Sequence, residues 1–172
     1  MTEPWPATAA GGETAVLAGQ VIAMLRAAGQ TVAVAESLTG GLVTAALTTI
    51  PGASLAVRGG MVTYATDLKA ALLGVEQAML AEHGAVYPGV AAAMANGVRD
   101  RLGATFGMAT TGVAGPEPAD GQPVGTVHIA VSAEDDTVVR TLALDGDRDH
   151  IRRLTVDRSL ALLLGRLREE IR

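Results

Sequence analysis

The segment TVAVAESLTGGLVTAALTTIP, Thr31 to Pro51, carries the reading of the fold. Its first six residues form a short β-branched run of the kind that becomes a buried strand. Ser37 to Gly41 is a turn of small residues, and LVTAALTTI reads as a helix stopped at Pro51. Strand, small-residue turn and helix in so few residues is the opening of an α/β unit.

The rest of the chain extends that unit. Before it, Glu13 to Ala28 places Val16, Leu17, Val21, Met24, Leu25 and Ala28 at helical spacing, with Gly29 as the stop. After it, a second strand is expected near Met61 to Tyr64, entered through Gly59 and Gly60. Thr66 and Asp67 are expected to cap a helix through Lys69 to Leu73, ended by Gly74. A short helix follows over Glu76 to Glu82. Pro88 then opens a longer one with the stripe Val90, Met94, Val98 and Leu102. A third strand, Thr105 to Thr110, runs into the Gly/Pro-rich loop TGVAGPEPADGQP. Two strands, Val124 to Ser132 and Thr137 to Leu144, make an antiparallel hairpin around Glu134-Asp135-Asp136. A last helix begins near Asp147 and carries Val156, Leu160, Leu163, Leu167 and Ile171 on one face. No internal repeat or linker is visible. The expectation is one α/β domain over residues 13–172 with a mixed sheet, after a flexible lead-in over residues 1–12.

Composition narrows the chemistry. The 172 residues are 49% hydrophobic and 18% charged, with a net charge of −5, which suits one folded domain. Without Cys there is no disulfide, thiolate nucleophile or Cys-ligated zinc. The acidic balance, with Trp5, Tyr64, Tyr87 and Phe106 as the only aromatic side chains, argues against a nucleic-acid binder. No apolar run is long enough for a transmembrane helix, and the N-terminal residues do not read as a signal peptide. A cytoplasmic protein is expected. Of the 13 basic residues only Lys69 is a lysine.

Three apolar strands end in small or hydroxyl-bearing residues, at Glu36-Ser37, at Tyr64-Ala65-Thr66 and at Thr110-Thr111-Gly112. Ligands of open α/β sheets bind beyond the carboxyl ends of the strands, so parallel neighbours would bring Ser37, Tyr64, Lys69 and Thr111 to one cleft. Ser37 or Thr39 equally suits a helix N-cap. The turn also exposes a hydroxyl beside free backbone N–H groups, which serve an oxyanion or a phosphate. Lys69 suits a solvated helix face or, when desolvated, a base, a role closed to Arg. Its place in a first helical turn and the neighbouring Asp67 push its pKa in opposite directions. Tyr64 is placed to relay or orient a proton between Ser37 and Lys69, and a Ser–Lys pair is an established way to activate a nucleophile. His83, His128 and His150 read as a helix-end, a mid-strand and a helix-start residue, and no pair has metal-ligand spacing. Asp147 and Asp149 are read as caps of the last helix, with Arg148 as a surface ion pair or an anion contact.

AESLTGG (Ala35–Gly41), Pro51-Gly52-Ala53-Ser54 and GGMVTYATDLKAALLGV (Gly59–Val75) resemble the C-terminal domain of CinA. HGAV (His83–Val86), TGVAGP (Thr111–Pro116), PVGTVHIAV (Pro123–Val131) and GDRDHIRR (Gly146–Arg153) extend the resemblance, in order, across about residues 13 to 170. It implies a three-layer α/β/α domain, its sheet mostly parallel with a C-terminal antiparallel hairpin. It also implies a nicotinamide-nucleotide amidase that releases ammonia from nicotinamide mononucleotide without a metal or other cofactor. Ser37, Tyr64 and Lys69 match the family's catalytic Ser, Tyr and Lys. Thr39, Gly40, Gly41, Thr111, Gly112 and Gly115 are the expected substrate-binding residues. The expectation is a stand-alone amidase, without the molybdopterin-binding-like domain often fused ahead of this one in the family. Departures fall at Leu38 (usually Cys), Ala65-Thr66-Asp67 (usually Ser-Asn-Glu), Tyr87 (usually Ser) and Gln122 (usually Lys), and the loop after Gly115-Pro116 is shorter than usual. The expected partner is a small nucleotide. Two other readings are a non-catalytic nucleotide-binding module and a scaffold whose C-terminal stripe forms a homo-oligomer interface.

Overall fold

A computed structural model describes residues 12–169. The order is α1 (Gly12–Ala28), β1 (Val32–Glu36), α2 (Leu42–Thr48), a 3₁₀ turn (Ala53–Leu55), β2 (Val57–Val62), α3 (Thr66–Leu73), α4 (Gln77–His83), α5 (Pro88–Leu102), β3 (Phe106–Gly112), β4 (Thr126–Ser132), β5 (Thr137–Ala143) and α6 (Arg148–Glu169). The strands form one open sheet in the order β2-β1-β3-β4-β5. β1 runs parallel to both β2 and β3, while β4 and β5 are antiparallel additions, as the hairpin pattern predicts. The expected mixed sheet between helical layers is the observed fold.

The two faces of the sheet differ in side-chain size. Val32 and Val34 of β1 and Phe106 and Met108 of β3 pack with α1, α2 and α6. The alternate residues Ala33, Ala35 and Ala109, with Ala130 of β4, face α5 instead. Small residues let α5 lie close to the sheet. A Cβ built on Gly107 would sit 2.0 Å from the Ala95 carbonyl oxygen, and one on Gly97 would sit 2.0 Å from that of Leu73. Alanine and glycine thus do on this face what large side chains do on the other, which accounts for a core with few aromatics.

The register fixes the site. Glu36 at the end of β1 pairs with Val62, the last residue of β2, and with Thr110 of β3, so β1 and β2 finish level and β3 runs two residues past them. From there β1 leads to α2 on one face, and β2 leads to α3 on the other. The carboxyl end of β1 is therefore a topological switch point, where open sheets leave a crevice.

Several local expectations are corrected. In α1 the buried face is Ala18, Val21, Ile22 and Leu25, and Val16 is 59% exposed. The apolar residues of α1 nearly encircle it, and packing against α6 selects the stripe. β2 begins at Val57, so Gly59 and Gly60 lie inside the strand. Gly60 is a close-approach site, since a Cβ there would meet Thr44 Oγ1 of α2 at 2.2 Å. Thr66 and Asp67 lie within the first turn of α3, whose N-cap is Ala65 with no side-chain cap. β3 extends two residues past Thr110, to Gly112. The stripe Val156, Leu160, Leu163 and Leu167 is core, so it offers no face to a partner. Ile171 lies outside the described residues, as does the lead-in through residue 11. Pro88 at the start of α5 and Asp147 as the cap of α6, accepting from His150 N–H at 2.8 Å, match expectation. Asp149 instead pairs with Arg153.

Gly97 has ordinary helical backbone, so exchange for Ala would stabilise an isolated helix by about 0.5–1 kcal/mol. Here Gly97→Ala is expected to destabilise by roughly 1–3 kcal/mol, because the added methyl overlaps the end of α3. Denaturant unfolding of the variant measures the sign.

Candidate active site

Past these strand ends lies an open cavity of about 270 Å³. Ser37 and Leu38 line it from the β1–α2 turn, Tyr64, Thr66 and Lys69 from the β2–α3 side, and Thr111 to Gly115 from β3 and the loop after it. Ala85 and Val86 form a wall, Glu117 and Asp120 stand on the long loop, and Arg148 opens α6.

The Ser37 turn is held by a buried carboxylate. Glu36, 0% exposed, accepts Gly41 N–H (2.9 Å), Val43 N–H (3.1 Å), Thr44 N–H (2.8 Å) and the Thr44 hydroxyl (2.7 Å). The three N–H groups would otherwise be unpaired at the start of α2, and with the Thr44 hydroxyl they compensate a charge that burial alone would penalise. Arg152 of α6 binds the turn from the other side, donating to the carbonyls of Leu38 (2.9 Å) and Thr39 (3.0 Å). Thr39 is buried with its hydroxyl 2.8 Å from that of Thr110, and Gly40 and Gly41 turn the chain with positive φ. Thr39, Gly40 and Gly41 thus shape the turn without lining the cavity, whereas Thr111, Gly112 and Gly115 do line it.

Lys69 is 0% exposed. Its Nζ lies 2.7 Å from the Thr63 carbonyl oxygen, 3.3 Å from that of Tyr64 and 3.1 Å from Ser37 Oγ. An ammonium satisfies all three as a donor. A neutral amine has two N–H bonds for the two carbonyls and one lone pair left for the Ser37 hydroxyl proton. Burial lowers its pKa to about 8, against the carboxylates of Asp120 and Asp67, which hold it up. The competition left open by position and by Asp67 is therefore decided by desolvation.

The Tyr64 side chain points elsewhere. It is 58% exposed, and its hydroxyl meets Arg148 Nη2 at 3.0 Å. What Tyr64 gives Lys69 is its main-chain carbonyl. Arg148 also donates to the Gly115 carbonyl at 2.6 Å and lines the cavity. It forms no ion pair among the described residues, against the surface ion-pair reading.

Backbone donors are similarly sorted. Ser37 N–H goes to Thr110, Gly40 N–H to Ser37 and Gly41 N–H to Glu36, while Val113 N–H goes to Thr126. Leu38 and Thr39 in the turn, and Ala114 and Gly115 in the loop, have N–H groups with no backbone acceptor among the described residues. These main-chain donors of the turn and the loop are thus left without a backbone acceptor.

The histidines lie around the site. His83 stacks on Tyr87 with centroids 4.1 Å apart. His128 is buried, with Nδ1 2.9 Å from the Thr141 hydroxyl, and burial keeps it below its usual pKa. His150 is in the first turn of α6. The sequence reading missed Glu36, Arg152 and Asp120. For Arg152 a signal existed, since Arg148 and Arg152 are one helical turn apart and share a face.

Comparison with known proteins bears on the family and the fold. Residues 14–167 match the model of the CinA C-terminal domain. A CinA-like protein of Frankia casuarinae is 54% identical over 153 residues, which is 89% of this chain and 35% of the relative. A putative competence-damage inducible protein of a Geobacillus species is 46% identical over 149 residues, 86% of this chain and 36% of the relative. The chain thus spans about a third of the length of the curated relatives it matches. Among solved structures, the competence/damage inducible protein CihA of Agrobacterium tumefaciens superposes with a TM-score of 0.86 at 37% identity, covering 95% of this chain and 98% of that one. A CinA superfamily protein of Klebsiella pneumoniae gives a TM-score of 0.88 at 31% identity, covering 91% and 98%. The family model covers most of the chain and the relatives and solved structures agree with it, and the chain belongs to the CinA C-terminal domain family.

Proposed function

We propose that this chain is a cytoplasmic amidase that hydrolyses the carboxamide of nicotinamide mononucleotide to nicotinate mononucleotide and ammonia. The observation that carries the reading is Lys69 Nζ, buried, 3.1 Å from Ser37 Oγ and tethered by two carbonyls. A solvated surface lysine needs none of these features. A desolvated amine whose lone pair faces a serine hydroxyl is what nucleophile activation requires.

The neutral Lys69 takes the Ser37 proton as Oγ bonds to the carboxamide carbon. The resulting oxyanion is met by backbone donors, with Leu38 N–H favoured because it follows the nucleophile directly and lines the cavity. Collapse breaks the C–N bond, and the Lys69 ammonium returns its proton to the departing nitrogen, which leaves as ammonia. A water then loses a proton to Lys69 and attacks the acyl carbon. Release of the carboxylate returns the proton to Ser37. The direct Ser37–Lys69 contact makes a Tyr64 relay unnecessary. The Tyr64 phenol, held by Arg148, is assigned to the substrate side of the cavity. Arg148, at the N-terminus of α6, supplies the anion contact that a ribose phosphate needs.

Ser37→Ala and Lys69→Arg are each expected to lower ammonia release by about 10³-fold or more without loss of fold. Near wild-type turnover in Lys69→Arg contradicts the base role, since Arg cannot accept the proton. Binding of nicotinamide mononucleotide without turnover in the unaltered protein would instead favour a nucleotide-binding module. For the active enzyme, kcat/KM should rise with pH through about 8, as Lys69 loses its proton. Tyr64→Phe keeps the carbonyl that holds Lys69, so it should leave that limb in place and act mainly on KM.

The same burial carries a stability signature. Lys69 titrates at about 8 when folded and near 10.5 when unfolded, so between these values the unfolded chain binds the extra proton. Stability must therefore rise with pH in that window, by at most about 1.4 kcal/mol per unit. The unfolding free energy of the wild type minus that of Lys69→Met is expected to grow from pH 8 to pH 10. A flat difference would mean that the amine is not desolvated.

A further inference from the structure

Ala85 and Val86, in the connection between α4 and α5, are held by side chains from three other segments. Asp120 Oδ2 accepts both the Ala85 N–H (2.6 Å) and the Val86 N–H (3.1 Å). The Thr111 hydroxyl at the end of β3 donates to the Ala85 carbonyl (2.7 Å), and the His128 ring of β4 is hydrogen-bonded to the Val86 backbone. This short wall thus has its main-chain polar groups taken up by Asp120, Thr111 and His128.

Asp120 is unusual among these. It is exposed, yet it is the one non-glycine residue with positive φ (50°) among the described residues. It also packs so closely on Gly84 that a Cβ there would meet its Cγ at 2.6 Å. A carboxylate held in that conformation, aimed at two neighbouring N–H groups, is specified by its surroundings. It lines the same cavity as Lys69.

We infer that Asp120 is a positioning residue of this site, latching the Ala85–Val86 wall to the β3–β4 loop and keeping a negative charge over the Ser37–Lys69 pair. The charged and titratable groups that face Lys69 can be named by element. Asp67 comes from α3 itself, Glu117 and Asp120 from the long loop and Arg148 from α6, while the Tyr64 phenol is turned toward Arg148. The α4–α5 wall brings only Ala85 and Val86, and Glu36 is spent on α2. Of the carboxylates, Asp120 acts most strongly on Lys69, ahead of Asp67. The latch and the charge reside in one side chain, so closing the wall and retaining the Lys69 proton are linked.

The catalytic meaning of this inference rests on the amidase reading, but its test does not. Lys69 is the sole lysine, so lysine labelled at Nζ with ¹⁵N reports it alone in an NMR titration. Asp120→Asn keeps an acceptor for both N–H groups and removes the charge. It is expected to move the Lys69 midpoint to lower pH while the Ala85 and Val86 amides stay protected from hydrogen exchange. Asp120→Ala is expected to move the midpoint the same way and to lower that protection by roughly tenfold or more. An unchanged midpoint in both variants overturns the charge role, and unchanged protection in Asp120→Ala overturns the latch. In turnover, Asp120→Asn should shift the acidic limb of kcat/KM to lower pH, and Asp120→Ala should also raise KM. Should the wild type release no ammonia from nicotinamide mononucleotide, the amidase reading fails, while titration and exchange still decide the role of Asp120.

Discussion

An amine stripped of water and aimed at a serine hydroxyl by two main-chain carbonyls sets the requirements for the rest of the molecule. Lys69 can be held there only if the end of β2 delivers the carbonyls of Thr63 and Tyr64, and the end of β1 delivers Ser37. Both must stop at the same height. The parallel register, with Thr63 N–H on the Glu36 carbonyl and Ser37 N–H on that of Thr110, enforces this. Distance and direction between Ser37 and Lys69 are thus properties of the sheet, which is stiffer than any loop.

Support for this arrangement lies on both faces of the sheet. On one, Glu36 turns the chain after β1 into α2, and Gly60 leaves room for Thr44 to complete the carboxylate's shell. Arg152 holds the same turn from α6. On the other, the small residues of β1, β3 and α5 bring the long helix against the strands. That close packing carries the α4–α5 wall toward the cavity, where Thr111, Asp120 and His128 receive it. The cavity is bordered by residues that end or follow the core strands β1 and β3, so the site is built into the architecture.

Much of this was legible in the sequence. The three strand ends and the residues that follow them follow from β-branched runs broken by Ser, Thr and Gly. The pairing of Ser37 with Lys69 follows once those strands are parallel. What escaped depends on tertiary neighbours. Tyr64 was noticed for its phenol, whereas its contribution to Lys69 is a carbonyl that any residue carries. The interior glycines of β2 read as an entry because the helix that needs the space is not local. Asp120 sits in a Gly/Pro-rich loop where a carboxylate gives no periodic signal, and its partners are over thirty residues away. The stripe of α6 read equally as core or interface until α1 was seen to cover it.

Lys69 is a desolvated amine that gives up its proton near pH 8, far more readily than a solvated lysine, and the composition of the chain makes this directly observable. With one lysine in 172 residues, a ¹⁵N Nζ label in the unaltered protein yields a single side-chain amine signal. A titration midpoint near 8 is expected, well below the 10.5 of a solvated lysine. A midpoint at the solvated value would contradict the base role, for Ser37 would then face a permanent ammonium with no lone pair to take its proton.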